Sequence, residues 1–352
     1  MRRLPIFFVI DVSESMVGKP LELMEDGLES IVSSLRQDPQ ALETVFISII
    51  AFAGKAKVLT PLIDLASFYP PKIPIGGGTY LGAALDELMS EIDQKINQTT
   101  YEQKGDWKPI VFLITDGKPT DNPGISIDKW NKTYAKRATL VAITLGTDVD
   151  MQVLKSLTHD VFALENTSEG EFKKFIEWLS NSVKAQSQSL EGGTSNGESG
   201  ISLAKHEDAG LTLIENPSNF SGVDPSVVVF TGRCSKKQLP YLIKYSRIDS
   251  EGKSKYIKNE FFGLEGAYAL DKTYGELSSD VVVEDVVSTD MLDGAPPCPQ
   301  CGNATSFAMC QCGGLMCIGG PEDVTCPWCK EVIAFNVGSG SGSGFDVKRG
   351  QG

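Results

Sequence analysis

IFFVIDVSES (residues 6–15) decides how this chain is read. An apolar run ends in Asp11, and hydroxyls follow at Ser13 and Ser15. A strand that is apolar on both sides of its alternation is covered on both faces, as in a parallel sheet between two layers of helices. In open sheets of that kind, ligands bind outside the carboxyl ends of the strands. The stretch therefore reads as the first buried strand of an α/β domain, presenting a carboxylate and two hydroxyls at its top.

The pattern continues outward from there. Leu21, Met24, Leu28, Ile31, Val32 and Leu35 recur at helical spacing, and Pro39 stands after that helix. VFISIIAF (45–52) is a second buried strand. AKVLTPL (56–62) is an edge strand, since Pro61 has no N–H for an interior ladder. A glycine-rich turn, GGGT (76–79), leads into a helix with Leu81, Leu85, Leu88 and Ile92 on one face. PIVFLITDG (109–117), ATLVAITLG (138–146) and VFAL (161–164) complete the strands. A helix from about Ser168 aligns Phe172, Phe175, Ile176, Leu179 and Val183. The expected fold is α/β with a doubly wound, mostly parallel sheet over residues 1–186.

Composition then shifts. Residues 187–204 are Gly/Ser-rich and read as a linker. Residues 205–290 carry short β-like runs such as LTLI, SVVVF and YLIKYS, a small β-rich region. Residues 291–336 hold seven of the eight cysteines and read as a zinc-ribbon-like domain. Residues 337–352 form a Gly/Ser spacer and a tail, FDVKRGQG, read either as an expression remnant or as a tether whose end docks on a partner.

The totals narrow the function. The chain has 352 residues, is 41% hydrophobic and carries 32 basic against 46 acidic side chains, a net charge of −14. An acidic balance argues against nucleic acid and against anionic membrane surfaces as partners. No run approaches the ~18 apolar residues of a membrane span. The first residues imitate a signal peptide, but the apolar run breaks at Asp11, so a cytoplasmic location is expected.

Asp11, Ser13 and Ser15 end one strand, Asp116 ends another, and Thr79 sits where a turn becomes a helix. Two carboxylates and three hydroxyls are all hard oxygen donors, which suit Mg²⁺ in octahedral geometry and disfavour Zn²⁺. If a hydroxyl or water separates one aspartate from the ion, the metal stays electrophilic and accepts a carboxylate from outside. Asp121, in GKPTD, reads as a second layer behind these ligands or as a loop-turn residue. Asp-x-Ser-x-Ser, then Thr, then Asp in TDG resembles the metal-ion-dependent adhesion site of von Willebrand factor type A domains. The resemblance covers about residues 5–185. It implies a site for Mg²⁺, or Mn²⁺ or Ca²⁺, that binds a carboxylate supplied by a protein partner.

Eight cysteines are present, none before Cys234, and seven fall between Cys298 and Cys329. In a reducing compartment such a cluster reads as a metal site. CPQC and CPWC pair Cys298 and Cys301 with Cys326 and Cys329 as a closed, structural Cys₄ zinc site. Cys310, Cys312 and Cys317 with distant Cys234 make a second set of four, for one or two Zn²⁺ in all. A crossed arrangement, with the two outer knuckles in different sites, is also open. The order of parts is similar to the tellurium-resistance-associated TerY proteins. That resemblance implies a protein kinase and a PP2C-type phosphatase as partners in bacterial stress signalling.

No P-loop, nucleophile elbow or kinase signature occurs, and only His159 and His206 are available for acid–base work. The expectation is a non-enzymatic, metal-dependent interaction module. Two alternatives stand beside it: a subunit of a chelatase or AAA⁺ remodelling machine, and metal-assisted phosphoester hydrolysis at Asp11 and Asp116.

Overall fold

The structure, a computed structural model, describes residues 2–102, 104–145, 150–164, 168–189, 211–213, 227–248, 261–281, 285–320, 323–335 and 344–350. These fall into two compact units. The first takes residues up to 12, 19–74 and 79–213; the second takes 13–18, 75–78 and 227–350.

The first unit alternates strands and helices: β1 (Leu4–Asp11), α1 (Lys19–Arg36), α2 (Pro39–Thr44), β2 (Val45–Phe52), β3 (Ala56–Asp64), α3 (Leu81–Lys95), β4 (Ile110–Thr115), α4 (Gly124–Lys129), β5 (Thr139–Leu145), α5 (Met151–Leu157), β6 (Val161–Leu164), α6 (Glu169–Ser189) and β7 (Leu211–Leu213). Their sheet runs β3-β2-β1-β4-β5-β6-β7. The five central strands are parallel, and β3 and β7 are antiparallel edges. All eight residues of β1 and all six of β4 are buried, as a two-sided cover demands. Phe7, Val9, Val111 and Leu113 pack under α3, α4 and α5, while Phe8 and Phe112 stack at 5.5 Å. α1 approaches α6 closely at Gly27, where a Cβ would stand 2.6 Å from the end of Ile176.

Strand order reverses between β1 and β4. That switch point opens a crevice at the carboxyl ends of the two strands. Asp11 closes β1 and Thr115 closes β4.

Three elements depart from expectation. Pro39 does not merely follow a helix; it is the first residue of α2, with the Asp38 carboxylate accepting from the N–H groups of Gln40 and Ala41 at 3.0 Å. Proline suits that position because its missing N–H would have no partner anyway. Leu211–Leu213 of the LTLI run form β7, paired with β6 in the first sheet, and do not join the β-rich stretch that follows. α6 extends through Ser189, past the expected start of the linker; residues 190–204 of that linker lie outside the described residues.

The second unit contains β8 (Val227–Arg233), β9 (Pro240–Arg247), β10 (Phe262–Ala269), α7 (Tyr274–Leu277), β11 (Val286–Ser288), β12 (Leu292–Asp293), β13 (Thr305–Met309), β14 (Leu315–Ile318), β15 (Asp323–Thr325), β16 (Val332–Ala334) and β17 (Asp346–Lys348). One sheet, β12-β10-β9-β8-β14-β13, takes strands from both the 205–290 and the 291–336 stretches. The β-rich and cysteine-rich segments thus share a core. Gly232 lies opposite Tyr241 in the ladder, and a Cβ there would come 2.3 Å from the tyrosine ring. Glycine leaves the room that lets Tyr241 reach the Ser306 carbonyl with its hydroxyl.

The tail read as a partner-docking peptide folds back on its own chain. β17 pairs antiparallel with β11, Val347 is 2% exposed in the core of the unit, and the Arg349 guanidinium donates to the Val227 carbonyl at 2.7 Å. The spacer at 336–343 lies outside the described residues.

Candidate metal centres

Asp11 and, one residue past β4, Asp116 flank the switch point of the first sheet. The side chain of Asp11 is fully buried, and the Thr115 hydroxyl donates to its Oδ2 at 2.5 Å. The parallel register that sets Ile10 beside Ile114 makes this pair. Asp116 follows Thr115 directly. Thr79 is buried against the same turn: a Cβ on Gly117 would lie 3.6 Å from the Thr79 hydroxyl. The Thr79 backbone is clamped to Thr120, its N–H donating to the Thr120 hydroxyl at 2.8 Å and its carbonyl accepting from the Thr120 N–H at 2.9 Å. Ser13 and Ser15 follow Asp11 within four residues on the chain, and their hydroxyls stand 3.0 Å apart. A set of carboxylates and hydroxyls without sulfur or imidazole fits a hard cation.

Asp121 has a role that sequence reading did not assign. Its Oδ2 accepts from the Gly82 N–H at 2.8 Å, capping α3 from a separate loop. Tyr80, which precedes that helix, makes no side-chain cap. Burial pushes the Asp121 carboxyl upward, and backbone N–H groups at Gly82, Asp121, Leu81 and Ala83 oppose that shift. The signal available in sequence was the absence of a Ser, Thr, Asp or Asn at position 80.

The cysteines form two sets, and the pairing is the crossed one. Cys234, Cys298, Cys301 and Cys317 come together; so do Cys310, Cys312, Cys326 and Cys329. CPQC and CPWC, expected to share a site, are in different ones. Strand alternation is the reason. Leu315 and Cys317 face the cluster that holds Cys234 and Cys298, while Met316 faces the cluster that holds Cys310 and Cys326. β14 runs parallel to β8 with Leu315 beside Gly232 and Met316 beside Arg233, which brings Cys317 level with Cys234.

The distances within each set test the fit. Sulfurs lie 3.7 Å apart for Cys301–Cys317, 3.8 Å for Cys317–Cys234, 3.6 Å for Cys310–Cys329 and 3.8 Å for Cys312–Cys326. Four ligands at the zinc–thiolate length of ~2.3 Å form a tetrahedron whose edge is about 3.8 Å. A disulfide would need ~2.05 Å. These four distances match that edge, and within each set all four sulfurs lie within 4.8 Å of one another.

Four turns present these sulfurs, three of them closed four residues on and the one after Cys310 closed three residues on. The Cys298 carbonyl accepts from the Gly302 N–H at 2.8 Å, Cys326 from Lys330 at 3.1 Å, Cys234 from Gln238 at 2.9 Å and Cys310 from Gly313 at 2.8 Å. Each donor residue has positive φ: 77°, 68°, 59° and 83° in that order. The turn after Cys234 reads Ser-Lys-Lys-Gln, a knuckle without a second cysteine; Cys317 fills that place from β14.

Backbone donors point at the sulfurs. Lys237 N–H reaches Cys234 at 3.2 Å, Ser235 N–H reaches Cys317 at 3.3 Å, and Trp328 N–H reaches Cys326 at 3.4 Å. Burial alone would raise the Cys326 thiol, but the N–H groups of Cys329 and Trp328 and the neighbouring Cys310 and Cys329 thiols bring it down to about 7. Burial, then the nearby cysteines, push the Tyr241 phenol upward.

The profile of the von Willebrand factor type A domain matches residues 6–178, which include Asp11, Ser13, Ser15, Thr79 and Asp116. The profile of the TerY-C metal binding domain matches residues 224–352, which include all eight cysteines and the tail. The chain is a von Willebrand factor type A domain protein. More particularly, it is of the TerY type, with its C-terminal metal binding domain.

Curated relatives include inter-alpha-trypsin inhibitor heavy chain H2 of Mus musculus, 26% identical over 195 residues, which are 50% of this chain and 20% of that protein. Heavy chain H4 of Bos taurus is 29% identical over 46% of this chain and 17% of that protein. The chain thus spans about a fifth or less of these relatives. Among solved structures, a von Willebrand factor type A protein from Catenulispora acidiphila covers 80% of this chain and 69% of its own, at 11% identity and a TM-score of 0.40. Proximal thread matrix protein 1 of the mussel byssus, with a zinc-occupied MIDAS motif, covers 51% and 45%, at 21% identity and a TM-score of 0.37. The two matched domains make the chain a metal-related protein-interaction module. Among the described residues, no helix is long and apolar enough to cross a membrane.

Proposed function

We propose that the chain is a non-enzymatic regulator that binds a protein partner through a hard divalent cation. Asp11, Ser13, Ser15, Thr79 and Asp116 hold Mg²⁺, or Mn²⁺ or Ca²⁺ in its place, and leave a position for a carboxylate of the partner. The observation that carries this reading is the Asp11–Thr115 pair at the switch point: a fully buried carboxylate, held by a neighbouring strand, where this fold binds ligands. The metal supplies charge to bridge two acidic surfaces. Thr115 and the clamped Thr79 backbone fix the donors in advance, which lowers the ordering cost of binding.

Two zinc ions occupy the cysteine sets of the second unit. They hold its strands and turns together, because four thiolates leave no open position for catalysis. Thiolate sites of this kind suit a reducing, cytoplasmic setting. The TerY resemblance adds a kinase and a PP2C-type phosphatase as partners in a tellurite-linked stress response.

The test is binding of a purified kinase or PP2C-type phosphatase from the same source to the zinc-loaded full chain, with and without Mg²⁺. Omitting Mg²⁺ is preferable to adding a chelator, which would also strip zinc. Retention that requires Mg²⁺ and is lost in Asp11→Ala supports the proposal. Equal retention by Asp11→Ala overturns it.

A further inference from the structure

The two cysteine sets differ in exposure. In the first, Cys234, Cys298 and Cys317 are buried and Cys301 is half-buried. In the second, Cys310 and Cys326 are buried, but Cys312 and Cys329 are exposed. Replacement of a thiolate-bound metal begins when an incoming ion or ligand reaches a sulfur or the metal itself. Two exposed cysteines in one set give that approach without any unfolding. The buried set must open first, and openings that break core contacts carry free energies near that of global unfolding.

The cost of emptying each set differs as well. The Cys234 set joins the end of β8, the 298–303 turn and β14, inside a cluster with Phe230, Tyr241, Tyr245 and Leu315. Without its metal, four thiols would be left in the core of the main sheet. The second set draws all its ligands from residues 310–329. They lie in the turn between β13 and β14 and in the turn of the β15–β16 hairpin. A two-stranded hairpin is marginal by itself, so this segment loosens at little cost to the rest.

We propose that Cys310, Cys312, Cys326 and Cys329 form an exchange site for soft, thiophilic divalent cations, while the Cys234 set is a fixed strut. This rests on reading both sets as metal sites. The exchange is a substitution of one dication for another on the same four thiolates, with no change of charge and no redox step. Cd²⁺ belongs to the same ligand class as Zn²⁺ at thiolate sites. Trp328 lies between Cys326 and Cys329, 41% exposed, its indole N–H donating to the Leu315 carbonyl at 2.7 Å and its ring 4.6 Å from the Arg233 guanidinium. The other tryptophans, Trp107, Trp130 and Trp178, belong to the first unit, so Trp328 reports on this site alone.

The experiment loads the full chain with Zn²⁺, adds excess Cd²⁺, desalts at intervals and measures both metals per chain. Wild type is expected to hold two zincs, one exchanging at least about tenfold faster than the other because only the buried set needs opening. The fast phase should coincide with a change in Trp328 fluorescence that is absent in Trp328→Phe. The Cys312→Ser/Cys329→Ser double variant should retain one zinc, lack the fast phase and keep the wild-type circular dichroism. Two zincs leaving in a single phase overturn this inference and leave the two-site reading standing. So does a fast phase that survives the double variant. A chain holding fewer than two zincs overturns the two-site reading and this inference with it.

Discussion

The Cys234 and Cys317 sulfurs stand 3.8 Å apart although 83 residues separate them on the chain. Parallel pairing of β8 with β14 makes this contact, and it decides which cysteines share a metal. Removing ligands from one set should cost one zinc, and removing one ligand from each set should cost both. The Cys326→Ser/Cys329→Ser variant is therefore expected to lose one zinc and Cys298→Ser/Cys329→Ser to lose two, measured by elemental analysis. A shared site for CPQC and CPWC would cost one zinc in both variants.

Asp121 caps α3 from a neighbouring loop. Asp121→Ala should cost about 1 kcal/mol, the usual value of a lost helix cap. Asp121→Asn keeps an acceptor and should cost less. Burial raises the Asp121 carboxyl in the folded chain above its ordinary value. A raised carboxyl contributes stability that is fully present below the unfolded value and lost as pH rises through the folded one. Wild type should therefore gain on Asp121→Asn as pH falls from neutral toward that ordinary value, read by urea unfolding at several pH values.

Val347 anchors the tail in the core of the second unit, and β17 adds a partner for β11. Val347→Ala should cost about 1–2 kcal/mol, in the range for buried methyl groups. Urea unfolding followed by circular dichroism checks this. An unchanged midpoint would mean the tail does not pack there in solution.

Long, locally patterned elements were legible in the sequence. VFISIIAF is β2 to the residue, and Leu81, Leu85, Leu88 and Ile92 line the buried face of α3 as their spacing predicts. What was not legible depends on partners distant along the chain. LTLI carries the same apolar pattern whether it joins the first sheet or the second; pairing with β6 decides. FDVKRGQG shows only one apolar side chain in its paired segment, too few to announce a core strand. For the cysteines, CPxC spacing identifies a knuckle but says nothing of which knuckle it meets. That follows from the faces of β14, and those faces acquire meaning only once β8 lies beside it. The oxygen donors could be picked out from the sequence because Asp11 ends an apolar strand and Asp116 directly follows another.

The most direct test of the central claim is Mn²⁺ binding to the zinc-loaded full chain, followed by electron paramagnetic resonance, in wild type and Asp11→Ala. Mn²⁺ prefers the same oxygen donors as Mg²⁺ and gives a signal that distinguishes free from bound ion. The account predicts that wild type binds Mn²⁺, that Mg²⁺ displaces it, and that Asp11→Ala binds none while keeping both zincs. Equal Mn²⁺ binding by wild type and Asp11→Ala, or none by wild type, would contradict it.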